Sequence, residues 1–304
     1  MIDLAFATTH LSISAVERDT GLSKDVLRVW ERRYGFPLPE RDASGERLYP
    51  LPQVERLRAI KRLIDAGHRP GKLLLLDERA LAALSARHSA QTIDDVNVLQ
   101  RRVFALLRSH DAGALDASLS RLLLKQGISA FVNDSVVPLT RAAAEAAVRG
   151  DLQMFHERMF VQCVGQILRR AIGLVVANGA QPSVLIASFP NEGDALALLM
   201  AQAILAPEEV SCVPLGSEVP VPDIAAAAHA YQSDAVLVLF SNAHSTKNAM
   251  NGLQMLRGLL TPNVDLWVGG ELARRLRPTA SGVFIAPSLS DIPALARQWC
   301  SSHL

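Results

Sequence analysis

The stretch LSKDVLRVWERRYGFPLPERDASGERLY, residues 22–49, decides the fold of the N-terminal part of this 304-residue chain. Ser23 is a typical helix-capping residue, and Val26, Leu27 and Trp30 recur at the spacing of one helical face. We therefore predict a helix that packs this face, tryptophan included, into a core. Four basic residues of the same helix project elsewhere, where a phosphate backbone could contact them: Lys24, Arg28, Arg32 and Arg33.

Turn signals flank this helix on both sides. Ahead of it, Ser12 caps a short helix that Gly21 ends. Behind it, the run Tyr34-Gly35-Phe36-Pro37 stops the helix and favours an extended path. The predicted hairpin then consists of Arg41 on the first arm, a turn at Ala43-Ser44-Gly45, and Arg47-Leu48-Tyr49 on the second arm. Two short helices followed by an arginine-bearing hairpin predict a winged helix-turn-helix.

Charge is unevenly distributed along the chain, although the overall net charge is only +1. Residues 22–72 contain 12 basic and 7 acidic residues, a net +5, whereas residues 183–304 contain 6 and 10, a net −4. Such asymmetry indicates that only the N-terminal end meets a polyanion.

Composition excludes several classes of protein. The longest apolar runs are shorter than a membrane span, and no signal-peptide pattern opens the chain, so we expect a soluble, cytoplasmic protein without a membrane partner. The three cysteines lie outside any Cys-x-x-Cys pattern, which favours buried thiols over disulfides or a metal site.

The chain divides into three predicted domains: residues 1–84, 94–178 and 181–304. The first carries the helix-turn-helix, and the second has Ala and Leu at helical spacing, which predicts a bundle. Residues 85–92 are small and polar and are interpreted as a linker. The third domain alternates apolar runs with helical stretches, which predicts a five-stranded parallel, flavodoxin-like (Rossmann-type) sheet. Its predicted strands are Ser183–Ser188, Glu209–Val213, Asp234–Phe240, Val264–Gly269 and Gly282–Ala286.

Residues 22–49, followed by VERLRAIKRLIDAGH at residues 54–68, resemble the MerR-type transcription regulators of the CarH-like branch. The resemblance implies a homodimer or higher homo-oligomer on double-stranded promoter DNA with inverted half-sites, and RNA polymerase as an indirect partner. It places the DNA contacts on Lys24, Arg28, Arg32, Arg33, Tyr34, Arg41, Arg47 and Tyr49. Residues 77–90 are too short for a long dimerisation helix, so we expect the C-terminal blocks to supply the dimer contacts.

In this branch the bundle and sheet hold cobalamin, and the resemblance extends over nearly the full chain. The branch places a lower-ligand histidine two residues after an acidic residue. Here Asp194 is followed by Leu196 at that position, and by Leu199 where the branch has glycine. Leucine has no lone pair for a metal, and its side chain closes the approach that glycine permits. We therefore predict a degenerate cleft without a cobalamin cofactor or other metal.

Other positions of the cleft match the residues of the branch only in part. Ala147 stands at the position of a tryptophan above the cofactor, and Phe155-His156 at a Glu-His pair, so only the histidine is retained. Ser241 and Gly269-Gly270 match positions around the nucleotide tail, although such glycines equally suit a strand-to-helix turn. His244 is a conceivable substitute ligand, but a loop histidine is more often solvated.

No catalytic or phosphate-loop motif is present, which favours a non-enzyme. The leading hypothesis is a regulator whose sensor module has lost the lower cobalamin ligand. Two alternatives stay open at this point: a working adenosylcobalamin-dependent, light-responsive repressor, and a corrinoid-dependent enzyme or methyl carrier.

Overall fold

A computed structural model describes residues 10–42, 45–65, 67–174, 181–208, 210–277 and 280–303. Within these ranges, the side chains of residues 18 and 88–93 are also left out of the description. The chain forms two compact units, Met1–Asp95 and Val96–Leu304. Across the described residues, none of the helices is both long enough and apolar enough to span a bilayer.

The N-terminal unit begins with the predicted pair of short helices. The Ser12 hydroxyl accepts a hydrogen bond from the Ala15 amide, and the Ser23 hydroxyl accepts one from Val26, so both predicted caps are confirmed. Gly21 ends the first helix in the left-handed conformation, at φ 70°. The elements are β1 (His10–Ser12), α1 (Ile13–Thr20), α2 (Lys24–Tyr34), β2 (Glu40–Arg41), β3 (Arg47–Pro50), α3 (Leu51–Asp65) and α4 (Pro70–Leu74).

The predicted wing is an antiparallel sheet in the order β1-β3-β2, in which Arg41 pairs directly with Arg47. Ala43 and Ser44 of the predicted turn lie outside the described residues. The core beneath the sheet contains Leu27, Leu57 and Ile60, which are fully buried. Trp30 is 7% exposed and belongs to the same core, as its helical position predicted.

The segment between the first two predicted domains differs from expectation. A continuous helix, α5, runs from Glu78 to Arg108. At 1.5 Å per residue its 31 residues span about 46 Å. The linker prediction for residues 85–92 is therefore wrong, because small and polar residues without Gly or Pro are still compatible with a helix. Residues 78–90 likewise belong to a much longer helix than the sequence pattern indicated.

The C-terminal unit opens with the predicted helical bundle. Its core combines Leu107 and Leu115 with Phe131 and Phe160, all fully buried. After the end of α5, the bundle elements are α6 (Ala112–Gln126), α7 (Ile128–Ala130), a π-helical stretch (Phe131–Val136), α8 (Val137–Arg149) and α9 (Met154–Gly173).

The predicted sheet follows the bundle. All five strands are parallel, in the order β5-β4-β6-β7-β8, which is the flavodoxin-like order that the sequence predicted. The strands are β4 (Ser183–Ala187), β5 (Ser211–Gly216), β6 (Ala235–Leu239), β7 (Asp265–Gly269) and β8 (Val283–Ile285). The second strand begins later than predicted, and Glu209 of that prediction lies outside the described residues.

Helices cover both faces of this sheet, as its near-continuous apolar strands require. One face packs on α11 and α12, and the other on α10 and α13. Leu196 and Met200 of α10 also belong to the core of the bundle, so α10 joins sheet and bundle. The helices are α10 (Ala195–Leu205), α11 (Val221–Ala230), α12 (Thr246–Leu259) and α13 (Ile292–His303).

Candidate nucleic-acid interface and C-terminal cleft

Helix α2 separates its side chains as the sequence predicted. Leu27 and Trp30 are buried, whereas Arg28, Arg32 and Arg33 are exposed. Arg28 contacts Asp25 at 3.1 Å, in an ion pair on the helix surface. Exposed pairs of this kind contribute at most about 1 kcal/mol, so a phosphate could displace the carboxylate.

Lys24 begins α2 and is half-buried. Its ammonium lies 3.6 Å from the Glu17 carboxylate, which also accepts the Lys24 backbone N–H. These contacts tie the start of α2 to α1, the first helix of the helix-turn-helix.

Both predicted arginines of the wing are held by contacts within the N-terminal unit. Arg41 is exposed and donates to the Gly45 carbonyl oxygen at 2.9 Å, which closes the hairpin. The Arg47 Nε donates to Glu31 of α2 at 2.9 Å. This hydrogen bond to Glu31 raises the pKa of the Arg47 guanidinium above its ordinary value.

Of the two tyrosines predicted to contact DNA, Tyr49 is buried and Tyr34 is half-buried. Tyr49 is fully buried in the core, so its prediction as a DNA contact is wrong. Burial raises the pKa of its hydroxyl, and the nearby Glu31 carboxylate adds to the effect. Side chains alternate between the two faces of a strand, but three residues are too few to show which face of β3 packs against α3. Tyr34 is half-buried, and a Cβ atom on Gly71 of α4 would lie 3.0 Å from its hydroxyl.

Glu31 is a residue that the sequence analysis missed. It lies on α2 and contacts a wing residue 16 positions later in the chain. Helical periodicity shows that Glu31 is outside the buried face, but the contact depends on how the wing folds back. No local signal in the sequence marks it.

At the lower side of the C-terminal cleft, apolar packing replaces any ligand chemistry. Leu196 is 6% exposed and packs into the bundle core, and Leu199 packs against the same core. The Asp194 carboxylate accepts the Ala197 backbone N–H at 2.9 Å and caps α10. The acidic residue is thus a helix cap, and the position two residues later offers no donor atom.

On the upper side, His156 is engaged with the protein itself. Its Nδ1 accepts the Gln153 backbone N–H at 3.1 Å, so its Nε2 carries the proton and faces His110 Nε2 at 3.3 Å. Burial lowers the pKa of His156, and His110 adds to the effect. Phe155 is 53% exposed and stacks on His110, while Ala147 is half-buried.

The carboxyl ends of β4 and β6 meet where the strand order reverses, and a buried carboxylate lies there. Glu192 is 5% exposed and accepts hydrogen bonds from the Ser241 amide at 2.9 Å and the Ser241 hydroxyl at 3.0 Å. His244 is not solvated, because its side chain is buried with Nδ1 3.9 Å from the Glu192 carboxylate. Ser241 therefore has a partner within the chain.

The glycine pair at the end of β7 is closely packed, and the second glycine is crowded by backbone atoms. A Cβ atom on Gly270 would lie 2.3 Å from the Phe240 carbonyl oxygen, and one on Gly269 would lie 2.8 Å from Leu239. Gly270 also has a positive φ of 93°. Gly270 thus has a structural role directly after β7, independent of any ligand.

Three residues of the cleft decide whether a cobalamin group fits it. Leu196 cannot coordinate a metal, Ser241 is bonded to Glu192, and His156 is bonded to His110. The residues present do not fit cobalamin in the manner that the resemblance implies.

Comparison with known proteins agrees with the N-terminal fold. The model of the MerR HTH family regulatory proteins matches residues 11–73. The HTH-type transcriptional repressor CarH of Myxococcus xanthus is 28% identical over 279 residues, covering 89% of this chain and 91% of that protein. The repressor CarA of the same organism is 24% identical, covering 80% of this chain and 81% of its own length.

Among solved structures, the monomethylamine corrinoid protein of Methanosarcina barkeri is similar at 12% identity and a TM-score of 0.48, covering 65% of this chain and 96% of that one.

The comparisons give no support to the prediction that this chain takes no cofactor, and it stays a prediction. Both Myxococcus relatives are transcriptional repressors. Residues 11–73 are thus a MerR-type helix-turn-helix domain, in a transcription regulator related to CarH.

Proposed function

We propose that this chain binds double-stranded promoter DNA in a sequence-specific manner, with α2 in the major groove and the β2–β3 wing on the flanking backbone. The observation that carries the proposal is that α2 has an apolar face and a basic face. Its apolar face is buried, and Arg28, Arg32 and Arg33 are exposed. Arg41 and Arg47 of the wing extend the basic surface beyond the helix, where they meet phosphates.

The proposed regulator acts as a homodimer or higher homo-oligomer on an inverted repeat, because two-fold symmetric DNA is read by a two-fold symmetric protein. It acts on RNA polymerase indirectly, through occupancy of the promoter. We propose residues 1–84 as the DNA-binding domain, 94–178 as the bundle and 181–304 as the α/β domain.

The DNA-binding part is tested by in vitro selection with the full-length wild-type chain and random duplexes of about 30 base pairs. We expect an inverted repeat to be enriched. Fluorescence anisotropy then measures the dissociation constant against salt for Arg28→Ala and Arg32→Ala. Each lost phosphate contact makes the slope of log K against log salt shallower by about 0.9.

Arg141→Ala is the matched control, because Arg141 is an exposed arginine of the bundle that pairs with Glu145. It should leave both the affinity and the slope unchanged. Failure to enrich any duplex, or Arg28 and Arg32 variants that bind like Arg141→Ala, would refute the proposed interface.

For the C-terminal module, we propose that it does not hold cobalamin through a lower ligand. The burial of Leu196 in the bundle core supports this proposal. The full chain is incubated with adenosylcobalamin in the dark and passed through gel filtration, and its visible spectrum is recorded. We expect the protein peak to carry no corrinoid bands.

A second candidate is an adenosylcobalamin-dependent, light-responsive repressor. The flavodoxin-like sheet order and the presence of His156 at the upper side favour it. Corrinoid retained by the protein, with DNA affinity that changes on illumination, would select this candidate. Corrinoid retained by a chain that enriches no DNA would instead favour a corrinoid-dependent enzyme or methyl carrier.

A further inference from the structure

A carboxylate lies among the basic residues of the proposed DNA interface. Glu31 belongs to α2, between Arg28 and Arg32, and its side chain is 26% exposed. A negative charge at this place repels a phosphate backbone, so its presence weakens DNA binding unless it serves another group.

The Glu31 carboxylate meets the guanidinium of Arg47 along one edge. Arg47 Nε donates to Oε2 at 2.9 Å, and Nη2 donates to Oε1 at 3.5 Å. This fork-like approach restricts the orientation of a planar guanidinium more than a single contact would. The second terminal nitrogen, Nη1, takes part in neither of these two hydrogen bonds.

The fold does not need this ion pair to place the wing. The strand that carries Arg47, β3, is the middle strand and is hydrogen-bonded to both β1 and β2. Two residues further on, Tyr49 fixes the strand in the core. The contact with Glu31 therefore orients the Arg47 side chain, on a backbone that is already held.

We propose that Glu31 is a positioning residue for DNA binding, which holds the Arg47 guanidinium so that Nη1 faces a phosphate. The inference rests on the proposed function, since it assumes that α2 and the wing meet DNA. Preorganising a long side chain reduces the conformational entropy that binding would otherwise cost. The benefit of an oriented arginine then exceeds the repulsion from the carboxylate.

The test compares Glu31→Gln in two backgrounds, wild type and Arg47→Ala, on a duplex selected with the wild-type chain. In the wild-type background Glu31→Gln should raise the dissociation constant about fivefold, although it removes a negative charge. In the Arg47→Ala background the same change should tighten binding about twofold, because only repulsion is then lost. The salt slope should become shallower by about 0.9 in Arg47→Ala and by part of that in Glu31→Gln.

Glu46→Gln is the matched control. Glu46 is exposed, precedes Arg47 directly, and has no side-chain ion pair within the described ranges. Its removal should leave binding unchanged or slightly tighter. Glu31→Asp keeps the charge but withdraws the carboxylate by one methylene, and it should weaken binding less than Glu31→Gln does.

Two results would overturn the inference. Tighter binding by Glu31→Gln in both backgrounds would mean that Glu31 only repels DNA, and equal weakening in both would mean that it supports the fold rather than Arg47. Far-UV circular dichroism of each variant shows whether it is folded, so that weaker binding caused by unfolding is recognised. A wild-type chain that selects no duplex would remove the proposed function, and this inference with it.

Discussion

Gly270→Ala should strongly destabilise the C-terminal unit if the glycine pair after β7 has a structural role. Gly270 has φ 93° and ψ −179°, a region that is essentially restricted to glycine. A Cβ atom there would lie 2.3 Å from the carbonyl oxygen and 2.9 Å from the nitrogen of Phe240. Both obstacles are backbone atoms, so no change of rotamer relieves the overlap.

The magnitude follows from two costs. Holding alanine in this conformation costs about 1–3 kcal/mol, and displacing the end of β6 to make room costs about 1–3 kcal/mol more. We therefore expect the free energy of unfolding to fall by about 4 kcal/mol. With an m-value of about 2 kcal/mol per molar urea, the unfolding midpoint should fall by about 2 M.

Urea unfolding followed by tryptophan emission measures this change, because Trp267 of β7 and Trp299 of α13 both belong to the C-terminal unit. Gly258→Ala is the control, since a Cβ at that position of α12 would enter open space among the described residues. It should stabilise the helix by about 0.5–1 kcal/mol. A wild-type midpoint for Gly270→Ala would refute the reasoning and leave a ligand as the reason for the glycine.

Three further outcomes are expected. Tyr49→Phe removes a buried hydroxyl that has no hydrogen-bond partner within the described ranges. The free energy of unfolding should therefore stay the same or rise by about 1 kcal/mol, and DNA affinity should not change. Weaker DNA binding by this variant would mean that Tyr49 contacts DNA. Burial lowers the pKa of His156 in the folded chain below the value of 6.5 expected in the unfolded chain. The neutral His156 side chain therefore contributes fully to stability above pH 6.5, and this contribution is lost as the pH falls from 6.5 through the folded pKa. Urea midpoints at about pH 7.5 and 5.5 should therefore differ more in wild type than in His156→Gln, and equal differences would contradict this role. Burial raises the pKa of Cys163 to about 11 and of Cys212 to about 12, so iodoacetamide near pH 8 should alkylate both only after unfolding, as peptide mass spectrometry would show.

Much of the fold could be predicted because the signals are local. Ser12, Ser23 and Gly21 mark helix ends through contacts within a few residues, and these contacts are present. The five apolar runs after residue 181 predict buried parallel strands because both faces are covered. The helical conformation of residues 85–92 could not be predicted in the same way, since small polar residues are compatible with either a loop or a helix.

The candidate sites were only partly predictable. The substitution of leucine at position 196 can be seen in the sequence, and its chemistry follows from the side chain alone. The partners of His156 and Ser241 could not be predicted, because His110 is 46 residues away and Glu192 is 49 residues away. A pattern of residue types carries no information about which distant side chain satisfies a buried polar group.

The sequence by itself determined that residues 22–49 form a capped basic helix and an arginine-bearing hairpin, since caps, turns and helical periodicity act over a few residues. Only the tertiary structure decided that Tyr49 belongs to the core and that Arg47 is held by Glu31. The physical reason is that burial and long-range ion pairs depend on how β3 packs against α2 and α3, which no local pattern specifies.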